Sequence, residues 1–172
     1  MDSIHYVPDT IAVSGAVSRP APAVTEDNEF FWGAARENRL VAQRCAACGL
    51  LRHPPAVSCP ACHSHDHEIV QLSGRGQIYS YALLHHPRHP RFHYPVVAVL
   101  IDLEDGIRIL SNLVDADPAS IHIGQPVEVT FEPTDDTLGA PVFRPRPRPR
   151  TGTGTGTGTE AHNTAPEDGD TR

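Results

Sequence analysis

The sequence predicts a mainly β protein with one N-terminal helix, a cysteine-clamped segment and a small antiparallel barrel. Three observations carry that prediction. All four cysteines of the 172-residue chain lie in two CxxC pairs within CAACGLLRHPPAVSCPAC, residues 45–62. Downstream, runs rich in Val, Ile and Tyr follow one another with glycines at their corners and no long helical pattern between them. Upstream, TEDNEFFWGAARENRL has the acidic start and four-residue spacing of a short helix.

Residues 1–24 show no sustained period and contain Pro8, Pro20 and Pro22, so they read as a disordered leader. The N-terminal helical segment occupies residues 25–44, with the helix itself expected over about residues 26–38. Thr25 suits the cap and the acidic first turn suits the helix dipole. Phe30 and Ala34, like Phe31 and Ala35, then fall four apart on neighbouring stripes. Phe30, Phe31 and Trp32 are adjacent, and adjacent helix positions cannot all face one core. Phe31 and Trp32 are therefore candidates for contacting a partner, with packing inside the chain as the other reading.

Residues 45–70 form the predicted metal ribbon. Cys45 and Cys48 enclose two residues, as do Cys59 and Cys62, with ten residues between the pairs. Each CxxC turn aims two sulfurs at one point, and two such turns complete a tetrahedral S4 site whose usual intracellular occupant is Zn2+. A rubredoxin-type iron is the other occupant of such a site. A redox dithiol needs one CxxC at a helix start in a βαβ context, which the pattern lacks. Four thiolates close the coordination sphere, so the expected role is structural, with one Zn2+ per chain. His53, His63, His65 and His67 lie nearby and read as surface imidazoles.

The barrel is placed at residues 71–143. GRGQIYSYALLHH opens with turn glycines and then sets Ile78, Ser80, Ala82 and Leu84 on one face and Tyr79, Tyr81 and Leu83 on the other. YPVVAVLIDLEDGIRILSNLVD reads as two strands around Asp105-Gly106, a hairpin signal. In IGQPVEVTFEP, Val127, Val129 and Phe131 alternate with Glu128, Thr130 and Glu132, and PVFRP supplies a last short strand. Short strands in this order suit an OB-type barrel, with a small sandwich as the alternative. Residues 144–172, RPRPRPR followed by TGTGTGTGT and a polar end, can bury little and read as a disordered tail.

Charge and composition narrow the functions. Formal net charge is -7 and all 14 basic residues are arginine. No apolar run approaches the roughly 20 residues of a membrane span, and the reading is of a soluble cytoplasmic protein. No GxSxG, P-loop, GxGxxG or HExxH is present. His85, His86, His89 and His93, in LHHPRHPRFHYP, are the one concentration of acid-base groups, and nothing adjacent completes a triad. That loop offers a partner or phosphate contact through His93 and Tyr94. Arg75, within GRG, is a candidate for meeting an anionic group, although such a bend more often serves strand entry.

Taken together, FFWGAARENRL, RCAACG, PPAVSCPAC, SGRGQIYSY, SNLVD and IGQPVEV resemble, in that order, the DUF35 family of zinc-ribbon OB-fold proteins over residues 26–133. The resemblance implies an N-terminal helix, a rubredoxin-like zinc ribbon and a five-stranded OB-fold barrel. It also implies a non-catalytic accessory subunit that docks on a thiolase-like acyl-CoA enzyme, a thiolase, aldolase or acyltransferase, stabilising it and helping shape its CoA site. The anionic group met by Arg75 would then belong to CoA. Two other readings stay open. One is nucleic-acid binding through Tyr79, Tyr81, Phe92 and Tyr94, against which stands a body of 8 Arg and 15 Asp plus Glu from Glu26 to Phe143. The other is autonomous acyl-CoA binding.

Overall fold

The computed structural model describes residues 18–134 and 138–147 of the chain. One helix, α1 (Glu29–Arg36), is followed by three ribbon strands, β1 (Val41–Cys45), β2 (Leu51–Arg52) and β3 (His67–Gln71). Five further strands follow: β4 (Arg75–Leu84), β5 (Val96–Leu103), β6 (Arg108–Leu113), β7 (Pro126–Pro133) and β8 (Gly139–Pro145). The ribbon strands form a sheet in the order β2-β1-β3, and the other five close a barrel in the order β4-β5-β6-β8-β7. All barrel pairings are antiparallel except β6 with β8, which meet in parallel at Leu113 and Phe143. This is the OB-type arrangement, and the sandwich alternative falls.

The helix is shorter than the sequence suggests. Residues 26–28 form a turn, and Asn28, not Thr25, stands at its start, where its side chain accepts from the Thr25 amide at 2.8 Å and donates to the Ala23 carbonyl. At the other end Asn38 takes a left-handed φ of 55°. Its amide bonds to Ala35 O and that of Arg39 to Ala34 O, a Schellman closure that stops the helix before residue 38. Phe31, Ala34 and Ala35 form the buried stripe, which packs on β8 and β1.

The ribbon contains strands that the sequence pattern hid. Val41–Cys45 starts within the 25–44 segment, past the expected end of its helix, and runs into the ribbon, pairing with β3 over five residues from Val41↔Gln71 to Cys45↔His67. Gln43 ties the ribbon together: its Oε1 accepts from Arg52 Nε at 2.6 Å and from the Ala56 amide at 3.0 Å. One continuous core joins the parts. Phe31 and Ala34 from α1, Leu40, Val41 and Ala42 from the ribbon side, and Ile78, Val99, Ile101, Val127 and Phe143 from the barrel belong to a single buried cluster.

Asp105-Gly106 makes the β5–β6 hairpin, as expected, with a three-residue loop whose Gly106 has φ of 81°. Leu103 N bonds to Ile107 O at 2.9 Å, and the Asp105 carboxylate accepts from the amide and hydroxyl of Ser73. The simple alternation expected for β4 does not hold. A bulge at Tyr79 shifts the register, so Ile78 faces Ile101 while Tyr81 and Leu83 come opposite Val99 and Val97. Ser80, Ala82 and Leu84 are thereby turned away from the face that Ile78 occupies.

Residues 18–24, placed in the leader by sequence, are anchored on the barrel. Arg19 bridges to Thr134, its guanidinium pairs with Glu132, and its Nη1 donates to Asn112 Oδ1 at 2.8 Å. The rest of the leader lies outside the described residues. At the far end β8 runs on to Pro145 and the Arg146 amide bonds to Pro126 O at 2.9 Å, so the expected tail begins later than residue 144. From residue 148 the tail lies outside the described residues. Among the described residues, no helix is long and apolar enough to cross a membrane.

Candidate metal centre and partner-facing surfaces

The two CxxC turns are near copies of each other. Gly49 N bonds to Cys45 O at 2.9 Å and His63 N to Cys59 O at 2.8 Å, each closing a tight turn after its pair. Both following residues are left-handed, with φ of 76° at Gly49 and 61° at His63. Glycine takes that conformation freely, whereas histidine meets its Cβ cost, so the second turn could not be recognised from a glycine in the sequence.

The turns bring all four sulfurs together. The Sγ atoms of Cys45, Cys48, Cys59 and Cys62 lie within 4.8 Å of one another. Cys45 and Cys62 are 3.5 Å apart, and Cys48 and Cys59 are 3.6 Å apart. A tetrahedral ion with Zn–S bonds of about 2.3 Å sets its sulfurs roughly 3.8 Å apart, so the donor set fits that ion in number, type and spacing. Cys45 and Cys59 are buried and Cys48 and Cys62 exposed, which places the centre at the rim of the ribbon.

The backbone prepares two of these sulfurs to be anionic. Amides of Cys48 and Ala47 donate to Cys45 and hold its thiol below the usual range. Amides of Ala61 and Cys62 do the same for Cys59 and bring it to about 6. Cys62 receives the Ser64 amide, but the neighbouring sulfurs of Cys48 and Cys45 outweigh it and push the thiol up to about 12. Four sulfurs at this spacing cannot all be thiolates without a cation among them.

Two of the nearby histidines have other contacts. Among the described residues, the cluster with metal-ligand spacing consists of the four cysteines alone. His53 lies against Phe31 at 5.0 Å between ring centroids, and burial lowers its pKa. His67 Nε2 meets Gln43 Nε2 at 3.2 Å.

The residues singled out as partner contacts divide. Phe31 is 7% exposed and sits in the chain's own core, which corrects the expectation that it projects outward. Trp32 is half-buried, edge-on to Phe31 at 5.1 Å. Its helix carries only one full apolar stripe, and Phe31 occupies it. His93 is exposed and Tyr94 half-buried in the β4–β5 loop, far along the sequence from the helix. Arg75 meets a carboxylate of its own chain, with Nε 3.1 Å from Glu104. The GRG segment serves strand entry: a Cβ on Gly76 would press into the Asp102 carbonyl of β5.

The aromatic residues considered as stacking platforms are engaged. Arg108 lies 3.2 Å over the Tyr79 ring, Arg19 lies over Phe92 at 5.4 Å and Arg88 over Tyr94 at 5.8 Å. The Tyr81 hydroxyl donates to Ile121 O at 3.1 Å.

A four-cysteine ribbon joined to an OB barrel defines a class of small two-part protein, and comparison with known sequences agrees. The family described as "ChsH2, rubredoxin-like zinc ribbon domain" matches residues 32–68, and "ChsH2, C-terminal OB-fold domain" matches residues 69–132. The chain aligns with the chain of a solved "Ltp2-ChsH2(DUF35) aldolase" at 49% identity and TM-score 0.68, covering 73% of this chain and 98% of that one. A DUF35 domain-containing scaffold protein of Methanocaldococcus jannaschii is 36% identical over 94 residues, 54% of this chain and 67% of its own length. This chain belongs to the DUF35 family of zinc-ribbon OB-fold proteins.

Larger relatives extend the comparison. A probable enoyl-CoA hydratase alpha subunit of Thermomonospora curvata is 50% identical over 127 residues, 74% of this chain but 40% of that subunit. A benzoylsuccinyl-CoA thiolase subunit of Thauera aromatica is 34% identical over 91 residues, 53% of this chain and 62% of its own length. The chain thus spans well under half of the hydratase subunit that it matches.

Proposed function

We propose that this chain is a non-catalytic accessory subunit that docks on a thiolase-like acyl-CoA enzyme, stabilises it and helps shape its CoA or substrate site. The observation that carries this reading is the 49% identity to almost the whole DUF35 chain of an aldolase that also contains Ltp2. Relatives described as hydratase and thiolase subunits point the same way.

In this reading the cysteine cluster is a structural Zn2+ site. Zinc supplies cross-linking energy to a ribbon too small to hold itself by apolar burial, and with four sulfur ligands it offers no position to substrate. The ribbon then fixes α1 and the barrel as one body, and the partner supplies the reacting groups. Cytoplasmic residence follows from four thiols being kept for metal in a reducing compartment.

The test is co-expression with the Ltp2 chain of the solved aldolase, followed by purification through a tag on this chain alone. The expected result is a stable complex with about one zinc per copy of this chain. Recovery of this chain with zinc but without Ltp2 would overturn the accessory-subunit reading.

A further inference from the structure

β4 ends in a way that a free-standing barrel has no use for. Its first half is bonded on both edges, to β5 on one side and to β7 through Arg75, Gly76 and Gln77 on the other. Ile78 continues the second edge by exchanging bonds with Gln125 and Gly124. From Ser80 to Leu84, β5 is the one strand partner among the described residues. Among the described residues nothing pairs with the other backbone edge of this stretch, and an open edge with apolar side chains invites another chain.

The side chains there are apolar and exposed. Tyr81 is 40%, Leu83 37% and Leu84 46% exposed. Past the Tyr79 bulge, Tyr81 and Leu83 lie opposite Val99 and Val97 on one face of the strand and Leu84 lies on the other. Exposed apolar residues gathered on one strand end mark an interaction site more often than singly scattered ones do.

The loop that follows adds charge and rigidity. No carboxylate occurs between Glu68 and Asp102, whereas His85, His86, Arg88, His89, Arg91 and His93 crowd into residues 85–93. This cationic stretch belongs to a chain of net charge -7. Although its surface is exposed, the loop is internally braced. The Tyr94 hydroxyl accepts from the His89 amide at 2.7 Å and donates to Pro87 O at 2.9 Å. His89 lies edge-on to Phe92, which in turn lies beneath Arg19. A loop ordered in advance loses less entropy when it docks.

From this juxtaposition we infer that residues 81–84 of β4 and the β4–β5 loop form one docking element for an acidic, partly apolar surface of a second protein. The inference rests on the accessory-subunit reading and names the surface that such a subunit would use. A second copy of this chain fits poorly, since it would bring a like-charged loop to the same interface. Single-stranded nucleic acid fits poorly too, because guanidinium groups lie over the rings of Tyr79, Phe92 and Tyr94.

The test is titration of the purified Ltp2 chain into this chain by calorimetry. Four forms are compared: wild type, the double variant Leu83→Asp with Leu84→Asp, Arg88→Glu, and the control Val57→Asp. Val57 is 67% exposed on the ribbon and carries the same apolar-to-acid change elsewhere. The double variant is expected to bind about 10- to 100-fold more weakly, because buried leucines would be replaced by unpaired charges. Arg88→Glu is expected to weaken binding about fivefold and to flatten its salt dependence. Val57→Asp should stay within about twofold of wild type, and equal zinc content and melting temperature would show that all four are folded.

Absence of binding by wild type would sink the accessory-subunit reading itself. Tight wild-type binding that survives in both β4-loop variants would overturn this docking surface and leave that reading standing. The surface would also be wrongly assigned if the double variant dissolved a dimer of this chain alone, or if it abolished binding of a thymidine oligonucleotide while Ltp2 binding was unchanged.

Discussion

Cys45→Ala is expected to unfold the ribbon and to lower the zinc content of the purified protein from about one per chain to near zero. Cys45 is 1% exposed at the end of β1, with its sulfur 3.5 Å from that of Cys62. β2 is only two residues long and pairs with β1 at two positions, so few strand pairs hold the first turn to the second. Zinc in comparable small sites contributes roughly 10–16 kcal/mol of apparent binding free energy, as large as the whole net stability of about 5–15 kcal/mol typical of a domain. The damage should spread beyond the ribbon. Val41 and Ala42, on the same strand as Cys45, belong to the core that also holds Phe31 and Phe143. Metal analysis with circular dichroism during heating checks this, and a soluble, cooperatively melting variant that keeps one zinc would contradict the four-ligand assignment.

Phe143→Ala should be the most damaging single change in the barrel. Phe143 is 0% exposed, and it stands where β8 meets β6 in parallel and β7 in antiparallel register. Its carbonyl accepts from Val114 N at 2.8 Å, so the residue helps close the ring of strands with its backbone as well as its ring. Truncating a buried phenylalanine costs about 3–5 kcal/mol, from lost burial and from the cavity left behind. For an ordered body of this size that corresponds to a fall in melting temperature of roughly 10–20 °C. Zinc content should stay near one per chain, because the residue is remote from the cysteines in the sequence and on a different sheet. A drop of only a degree or two would show that the barrel closes without this side chain.

The metal site and the barrel were legible for different reasons. Thiol ligands are few in kind and strict in spacing, so the two CxxC pairs identified the cluster before any strand was placed. Asp105-Gly106 and the alternation around Val127 were readable because turn chemistry and period two act locally. Other features depend on contacts distant in sequence. Val41–Cys45 is a strand because His67–Gln71 pairs with it, and its residues alone carry no strong strand signal. The Tyr79 bulge is another case, since one unpaired residue reversed the expected faces of Tyr81 and Leu84. Phe31 stayed open between core and partner because three adjacent aromatic residues do not reveal which of them the chain's own core will take.

That bulge also shows why the proposed docking surface was harder to read from sequence than the cysteine cluster. The sequence drew attention to Phe31, Trp32, His93 and Tyr94 by residue type. The structure buries the first of these and shows an open strand edge beside the last two, and an edge is a property of pairing, not of composition.

The most direct measurement is turnover of a substrate of the Ltp2-ChsH2(DUF35) aldolase by three samples: this chain alone, the Ltp2 chain alone, and an equimolar mixture. An accessory subunit predicts no turnover by this chain alone and a rise in activity and melting temperature of Ltp2 in the mixture. Turnover by this chain alone, or a mixture indistinguishable from Ltp2 by itself, would contradict the account.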